Sequence, residues 1–127
     1  MLLIHCPYCE EDRPELEFRG GGEAHIARPT NMADLTDEEF EKFFFIRDNE
    51  KGLVFERWRH MHGCGRFFNA ARHSVSDKFI MTYKAGEPKP TITQAQIDAV
   101  KPPAKGTPAN EPVWTVDANT GEKGEAK

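Results

Sequence analysis

The chain has 127 residues, with 17 basic and 21 acidic side chains, a net charge of −4 and a pI near 5.7. With 38% hydrophobic residues and a mean hydropathy of −0.68, it can build one small core, which chains of this size commonly reinforce with a metal or a partner. The acidic balance argues against a nucleic-acid binder, and no apolar run has the length of a membrane span. Cys6 follows the start too closely for a signal peptide, so the expected setting is cytoplasmic, where three cysteines point to metal or redox chemistry rather than to disulfides.

In chain order, MLLI predicts a short buried strand running into the turn CPYC. PELEFRG and EAHIAR flank GGG and predict two strands joined by a glycine turn. The alternation that follows the glycines argues against a phosphate-binding loop, which needs a helix there. LTDEEFEKFFFI predicts a helix. Thr36 and Glu39 form a capping box, Asp37, Glu38 and Glu39 suit the helix dipole, and Phe40, Phe43 and Phe44 share a face. These acids, with Glu41, read as a solvated helix start rather than as catalytic groups. IRDNEKGLVFERWRH predicts a strand, a turn at Asn49 to Gly52 and a second strand. In that second strand Val54, Glu56, Trp58 and His60 face one way, and Leu53, Phe55, Arg57 and Arg59 the other. GRFFNAARHSVS predicts a short helix or turn, and KFIMTYKAG a last strand.

Composition changes near Ala85. All eight arginines, nine phenylalanines and three cysteines precede it, and six of the nine prolines follow it. The expected organisation is a folded unit over residues 1–84 and an extended, Pro-rich tail over 85–127. Within the tail, TQAQIDAV offers Thr93 and Gln96 as a second capping box, and EPVWTV offers Trp114 as an aromatic anchor for a partner. The fold class expected is α+β: a small zinc-stapled domain of antiparallel hairpins with one or two short helices, followed by the tail.

CPYC has two chemical readings. A redox dithiol sits at a helix N-terminus whose dipole favours the thiolate. Here Pro14 stops any helix almost at once, and Glu10, Glu11 and Asp12 oppose a thiolate. A zinc site instead needs a second half, and WRHMHGCGRFF supplies one. Cys6 and Cys9 form a C-x2-C knuckle, and His60 and Cys64 form H-x3-C, with Gly63 and Gly65 letting the backbone curl. His62 competes with His60, since both face the same side of a strand; the longer spacing favours His60. A Cys3His set suits tetrahedral zinc in a closed, structural site. His5 reads as a strand residue or a neighbour of the site, and His25 and His73 as surface or hydrogen-bonded residues. Arg47, Arg57, Arg59, Arg66 and Arg72 read either as solvated or internally paired, or as an anchor for a carboxylate-rich partner surface. The sequence shows no nucleophile–base pair, no Gly-rich cofactor fingerprint and no open metal position, so no catalytic or cofactor-binding residue is expected on this chain.

The segments HCPYCEEDRPELEF, FIRDNEKGLVFERWRHMHGCGRFFNAARHS and FIMTYKAGEPKP together resemble the delta-subunit family of heterotetrameric sarcosine oxidase, over roughly residues one to ninety. The resemblance implies zinc held through a CxxC and an HxxxC, which map to Cys6, Cys9, His60 and Cys64. It implies alpha, beta and gamma subunits as partners, with FAD, FMN, NAD and the folate site on the larger ones, and an assembly role for this chain. The implied reaction of the complex is oxidative demethylation of sarcosine to glycine, with hydrogen peroxide and formaldehyde or methylenetetrahydrofolate. The small subunits of N-methylglutamate dehydrogenase-like complexes look similar, and a stand-alone dithiol oxidoreductase is the other alternative. GCGRFF departs from the family pattern, which often has a second basic residue after the Cys; the departure touches no ligand.

Overall fold

The computed structural model describes residues 2–103 and, beyond them, the backbone of two short paired strands. Its architecture is α+β with antiparallel sheets, as the sequence leads one to expect. Strands β1 (Leu3–Cys6) and β2 (Glu11–Pro14) form a hairpin around the CPYC turn, with Cys6 opposite Glu11. The main sheet has four strands in sequential order: β3 (Arg19–Glu23), β4 (Leu53–Arg59), β5 (Phe67–His73) and β6 (Phe79–Lys84). Helix α1 (Asp37–Phe45) lies in the β3–β4 connection, and α2 (Gln94–Val100) follows β6 and touches it.

The core lies between the hairpin and one face of the sheet. Ile4 and Cys6 from β1 meet Phe68 and Ala70 from β5 and Phe18 from the turn before β3, with Trp58 and Phe79 packed around them. Trp58 stands opposite Phe68 in the ladder, so the side of β4 that carries Val54, Glu56 and Trp58 is the core side. Fully buried Ile4 and Phe68 each contribute on the order of 1.5–3 kcal/mol through apolar burial. The core is nevertheless thin: three of its eight buried apolar residues are alanines. Such a core gains much from a crosslink between the hairpin and the sheet.

Both helices start at the expected capping boxes. The Thr36 hydroxyl accepts from the Glu39 N–H at 3.2 Å, and the Glu39 carboxylate accepts from the Thr36 N–H at 3.0 Å. Thr93 and Gln96 reciprocate in the same way. The apolar face of α1 finds no core, because Phe40, Phe44, Phe45 and Ile46 remain exposed.

Three local expectations are corrected. The glycine run is not a turn between two strands; it is strand β3 itself, an edge strand irregular between Gly20 and Glu23. Glycine suits that edge, since a Cβ on Gly21 would press to 3.2 Å from the Arg57 carbonyl oxygen. Residues 46–50 are not a strand either. There the Arg47 guanidinium donates to the Phe43 and Ile46 carbonyls at 2.7 and 2.8 Å, and the Asp48 N–H donates to Glu23, so this stretch finishes α1 instead of pairing in a sheet. Finally, FFNAARH is not a helix or turn but β5, a strand with neighbours on both sides. Its alanines favour helix in isolation, but burial on both faces overrides that preference.

In the tail, Trp114–Val116 pairs antiparallel with Lys123–Glu125 as strands β7 and β8. The side chain of Trp114, the expected anchor, lies outside the described residues.

Candidate metal centre

The two half-sites come together at the end of the sheet where β4 stops and β5 begins. The CPYC turn closes with the Glu10 N–H donating to the Cys6 carbonyl at 2.9 Å, while the Cys9 N–H points at Cys6 Sγ at 3.4 Å. Beyond β4, His60 begins a tight loop whose Gly63 and Gly65 N–H groups both donate to the His60 carbonyl, at 3.3 and 2.8 Å. This curl brings Cys64 back beside the His60 ring. A Cβ on Gly63 would overlap that ring, so the loop closes only around glycine.

One donor atom from each of Cys6, Cys9, His60 and Cys64 lies within 4.8 Å of every other. Cys6 Sγ is 3.7 Å from Cys64 Sγ, and His60 Nδ1 is 3.6 Å from Cys9 Sγ and 3.8 Å from Cys64 Sγ. A tetrahedral zinc with its usual bond lengths has S···S edges of about 3.8 Å and S···N edges of about 3.6 Å. The donor set therefore fits the ion in chemistry and in spacing. His62 is exposed and does not join the group; its backbone N–H donates to the Glu17 carbonyl at 3.1 Å.

Neighbouring residues hold the imidazole. His60 Nε2–H donates to Glu17 Oε2 at 3.1 Å, which leaves Nδ1 to face the sulfurs. Arg13 grips the same carboxylate with two hydrogen bonds of 2.9 and 2.8 Å. Arg13 first, and then His60, lower the Glu17 pKa to about 2. The Phe18 ring stacks on His60 with centroids 4.3 Å apart, and meets Phe68 edge-on behind it. Sequence reasoning missed Arg13, Glu17 and Phe18. They lie more than forty residues from His60, and the only available signal was the i, i+4 spacing of Arg13 and Glu17.

The thiols themselves call for a cation. Burial and the two neighbouring thiols push Cys9 up to about 11. Burial also opposes ionisation of Cys64, but the Arg66 backbone N–H, His60 and the other two thiols outweigh it and bring Cys64 down to about 7. Three sulfurs this close resist carrying three negative charges, and a divalent ion removes that conflict.

The remaining histidines take ordinary places. His5 pairs with Asp12 across the hairpin at 2.8 Å, His25 bonds Tyr83 at 2.5 Å, and buried His73 accepts the Val75 and Ser76 N–H groups.

The model of the sarcosine oxidase, delta subunit family matches residues 3–85, a stretch that contains all four donors together with Arg13, Glu17 and Phe18. The chain belongs to this family. The sarcosine oxidase subunit delta of Corynebacterium sp. (strain U-96) is 45% identical over 96 residues, 76% of this chain and 96% of the relative. That of an Arthrobacter species is 45% identical over 92 residues, covering 72% and 93%. The Rhizobium meliloti (strain 1021) protein of the same name is 36% identical over 74 residues, 58% of this chain and 76% of its own. For this delta-family chain, the matched segment spans the β1–β2 hairpin, the four-stranded sheet and the whole Cys3His group.

Proposed function

We propose that this chain is the zinc-binding small subunit of a heterotetrameric flavoenzyme that oxidatively demethylates sarcosine, and that its own task is assembly rather than catalysis. The observation that carries the reading is the Cys3His group at tetrahedral spacing inside a segment matched by the delta-subunit family. Cys6, Cys9, His60 and Cys64 would hold one zinc. Bound there, zinc crosslinks the β1–β2 turn to the β4–β5 connection, and in small modules such binding contributes on the order of 10 kcal/mol of apparent folding free energy. Four protein donors leave no position for a substrate, so the site is structural in character.

The complex would convert sarcosine to glycine, with hydrogen peroxide and formaldehyde or methylenetetrahydrofolate. FAD, FMN, NAD and the folate site would lie on the alpha and beta subunits, with the gamma subunit completing the assembly. Residues 1–84 form the metal-binding unit and 85–127 an extension. Its start is tied back by the Ala85 N–H to the Tyr8 hydroxyl at 3.2 Å. The dithiol alternative is disfavoured by the strand β2 that follows the CPYC turn, where a redox dithiol would have a helix N-terminus.

Metal analysis of the full-length chain, co-expressed with the large subunits, tests the reading. One zinc per chain is expected, lost in His60→Ala and kept in His62→Ala, with the chain co-purifying in the complex. Full zinc in His60→Ala together with loss in His62→Ala would overturn the ligand assignment. An active monomeric enzyme would overturn the assembly role.

A further inference from the structure

The five arginines around the second half-site divide into two groups. Arg72 is committed internally: it holds Glu56 with two hydrogen bonds of 2.8 and 2.6 Å and Asp77 at 2.5 Å. Arg47 caps the end of α1. Arg57, Arg59 and Arg66 make no ion pair with a carboxylate among the described residues, and neither does Lys84. Each of these four cations lies over an aromatic ring, and half-buried Arg59 also donates to the Gly65 carbonyl at 2.8 Å. Arg57 and Arg59 sit 4.7 and 5.4 Å from the centroid of Phe67, and Arg66 and Lys84 sit 4.9 and 5.8 Å from that of Tyr8. The ladder puts both sets at the same end of the sheet but on its two faces: Arg57, Arg59 and Phe67 on the outer face, and Lys84, opposite Phe68, on the side that carries the hairpin and Tyr8. Arg57, Arg66, Phe67 and Lys84 are exposed.

We propose that this end of the sheet is the surface that docks onto a carboxylate-rich patch of a larger subunit, with the four cations as its charges and Phe67 as its apolar anchor. The inference rests on the assembly role proposed above and says which surface performs it. The rings hold the cationic heads in place before contact, so less side-chain freedom is lost on binding. Guanidinium forks suit carboxylates, and a half-exposed aromatic flanked by arginines has the composition of an interface hot spot. Charge selects the partner. In a chain that is acidic overall, a basic end orients the molecule toward an acidic surface and repels it elsewhere. The same end carries the Cys3His group, so the metal would fix the loop from which Arg66 and Phe67 project.

The test measures binding of the full-length, zinc-loaded chain to the assembly of the other three subunits, at low and at high salt. The variants are Arg57→Glu/Arg66→Glu and the milder Arg57→Gln/Arg66→Gln, with Arg28→Glu/Lys51→Glu as a control of equal charge change. Zinc content and thermal melting establish that each variant folds. Charge reversal should weaken binding about tenfold or more and flatten its salt dependence, neutralisation should have a smaller effect of the same kind, and the control should stay within about twofold of wild type. Folded reversal and neutralisation variants that bind like wild type would overturn the surface assignment while leaving the assembly role standing. A wild-type chain that does not join the other subunits would overturn the assembly role itself. Salt-sensitive binding of a DNA duplex by the wild-type chain, lost on charge reversal, would overturn the protein partner in favour of nucleic acid.

Discussion

Replacing Glu17 with Gln probes the support of the metal centre without touching a donor. In the native chain Glu17 Oε2 accepts the His60 Nε2 proton at 3.1 Å, which fixes the tautomer that presents Nδ1 to the sulfurs. Gln keeps the shape but removes the charge, and Arg13 loses its ionic partner. Losing a partner of this kind typically lowers metal affinity by about 10–100-fold. Here the lower end, about tenfold, is expected, because Oε2 also accepts from Arg13 Nε at 2.9 Å and so gives less of its basicity to the imidazole. With its pKa near 2, Glu17 is ionised wherever thiolates can bind zinc, so the loss should be the same at about pH 6.5 and about pH 8. Competition with a chromophoric zinc chelator measures the affinity, and imidazole nitrogen shifts by NMR report which ring nitrogen is bound. An affinity unchanged within about twofold, or ligation through Nε2 in the wild type, would refute the reasoning.

Two further substitutions separate loop geometry from sheet electrostatics. Gly63→Ala places a methyl group where the His60 ring lies, so it should release zinc at least as readily as His60→Ala; full zinc retention on metal analysis would mean that the loop can yield. Glu56→Gln should lower the melting temperature by several degrees at neutral pH, and the gap from wild type should close in acid. Burial opposes the Glu56 charge, but Arg72 and the Trp58 indole N–H outweigh it and hold the pKa below the usual range. A lowered pKa adds stability that is present above the ordinary carboxylate range and lost as pH falls through the lowered value. A gap that stays constant into acid would contradict this sign.

The sequence made some elements easy to read because their signals are local. Thr36 with Glu39, and Thr93 with Gln96, satisfy helix-end N–H groups within four residues, so both helices start where the capping boxes say. The alternation in LVFERWR likewise separated the two faces of β4, and the ladder shows that the face with Trp58 meets the core. The failures are non-local. The alanines of Phe67–His73 favour helix, and its place between β4 and β6, buried on both sides, makes it a strand. The glycines of β3 look like a turn until Arg57 passes close beside Gly21. The apolar stripe of α1 was read correctly as a helix face, yet periodicity alone says nothing of what that face will meet.

The metal centre divides along the same line. Candidate donors announce themselves, because few side chains can bind zinc and a knuckle requires close spacing; the four residues that the fold brings together were legible as CxxC and HxxxC. The choice between His60 and His62 was harder, since both lie on the same side of an extended strand. The loop places only His60 beside the sulfurs: strand β4 ends at Arg59, the Gly63 and Gly65 N–H groups fold back onto the His60 carbonyl, and the imidazole of His60 is carried inward while His62 is left outside. Glu17 and Phe18 could not be seen in advance, because nothing about a glutamate and a phenylalanine before a glycine run implies a histidine more than forty residues away. They reach it because the thin core needs Phe18 beneath Phe68, and packing that ring also sets the neighbouring carboxylate against His60. The packing that builds the core thus also orients the His60 imidazole. Damage to either should therefore appear in both stability and metal affinity, whereas substitutions at the exposed cations Arg57 and Arg66 should appear in neither.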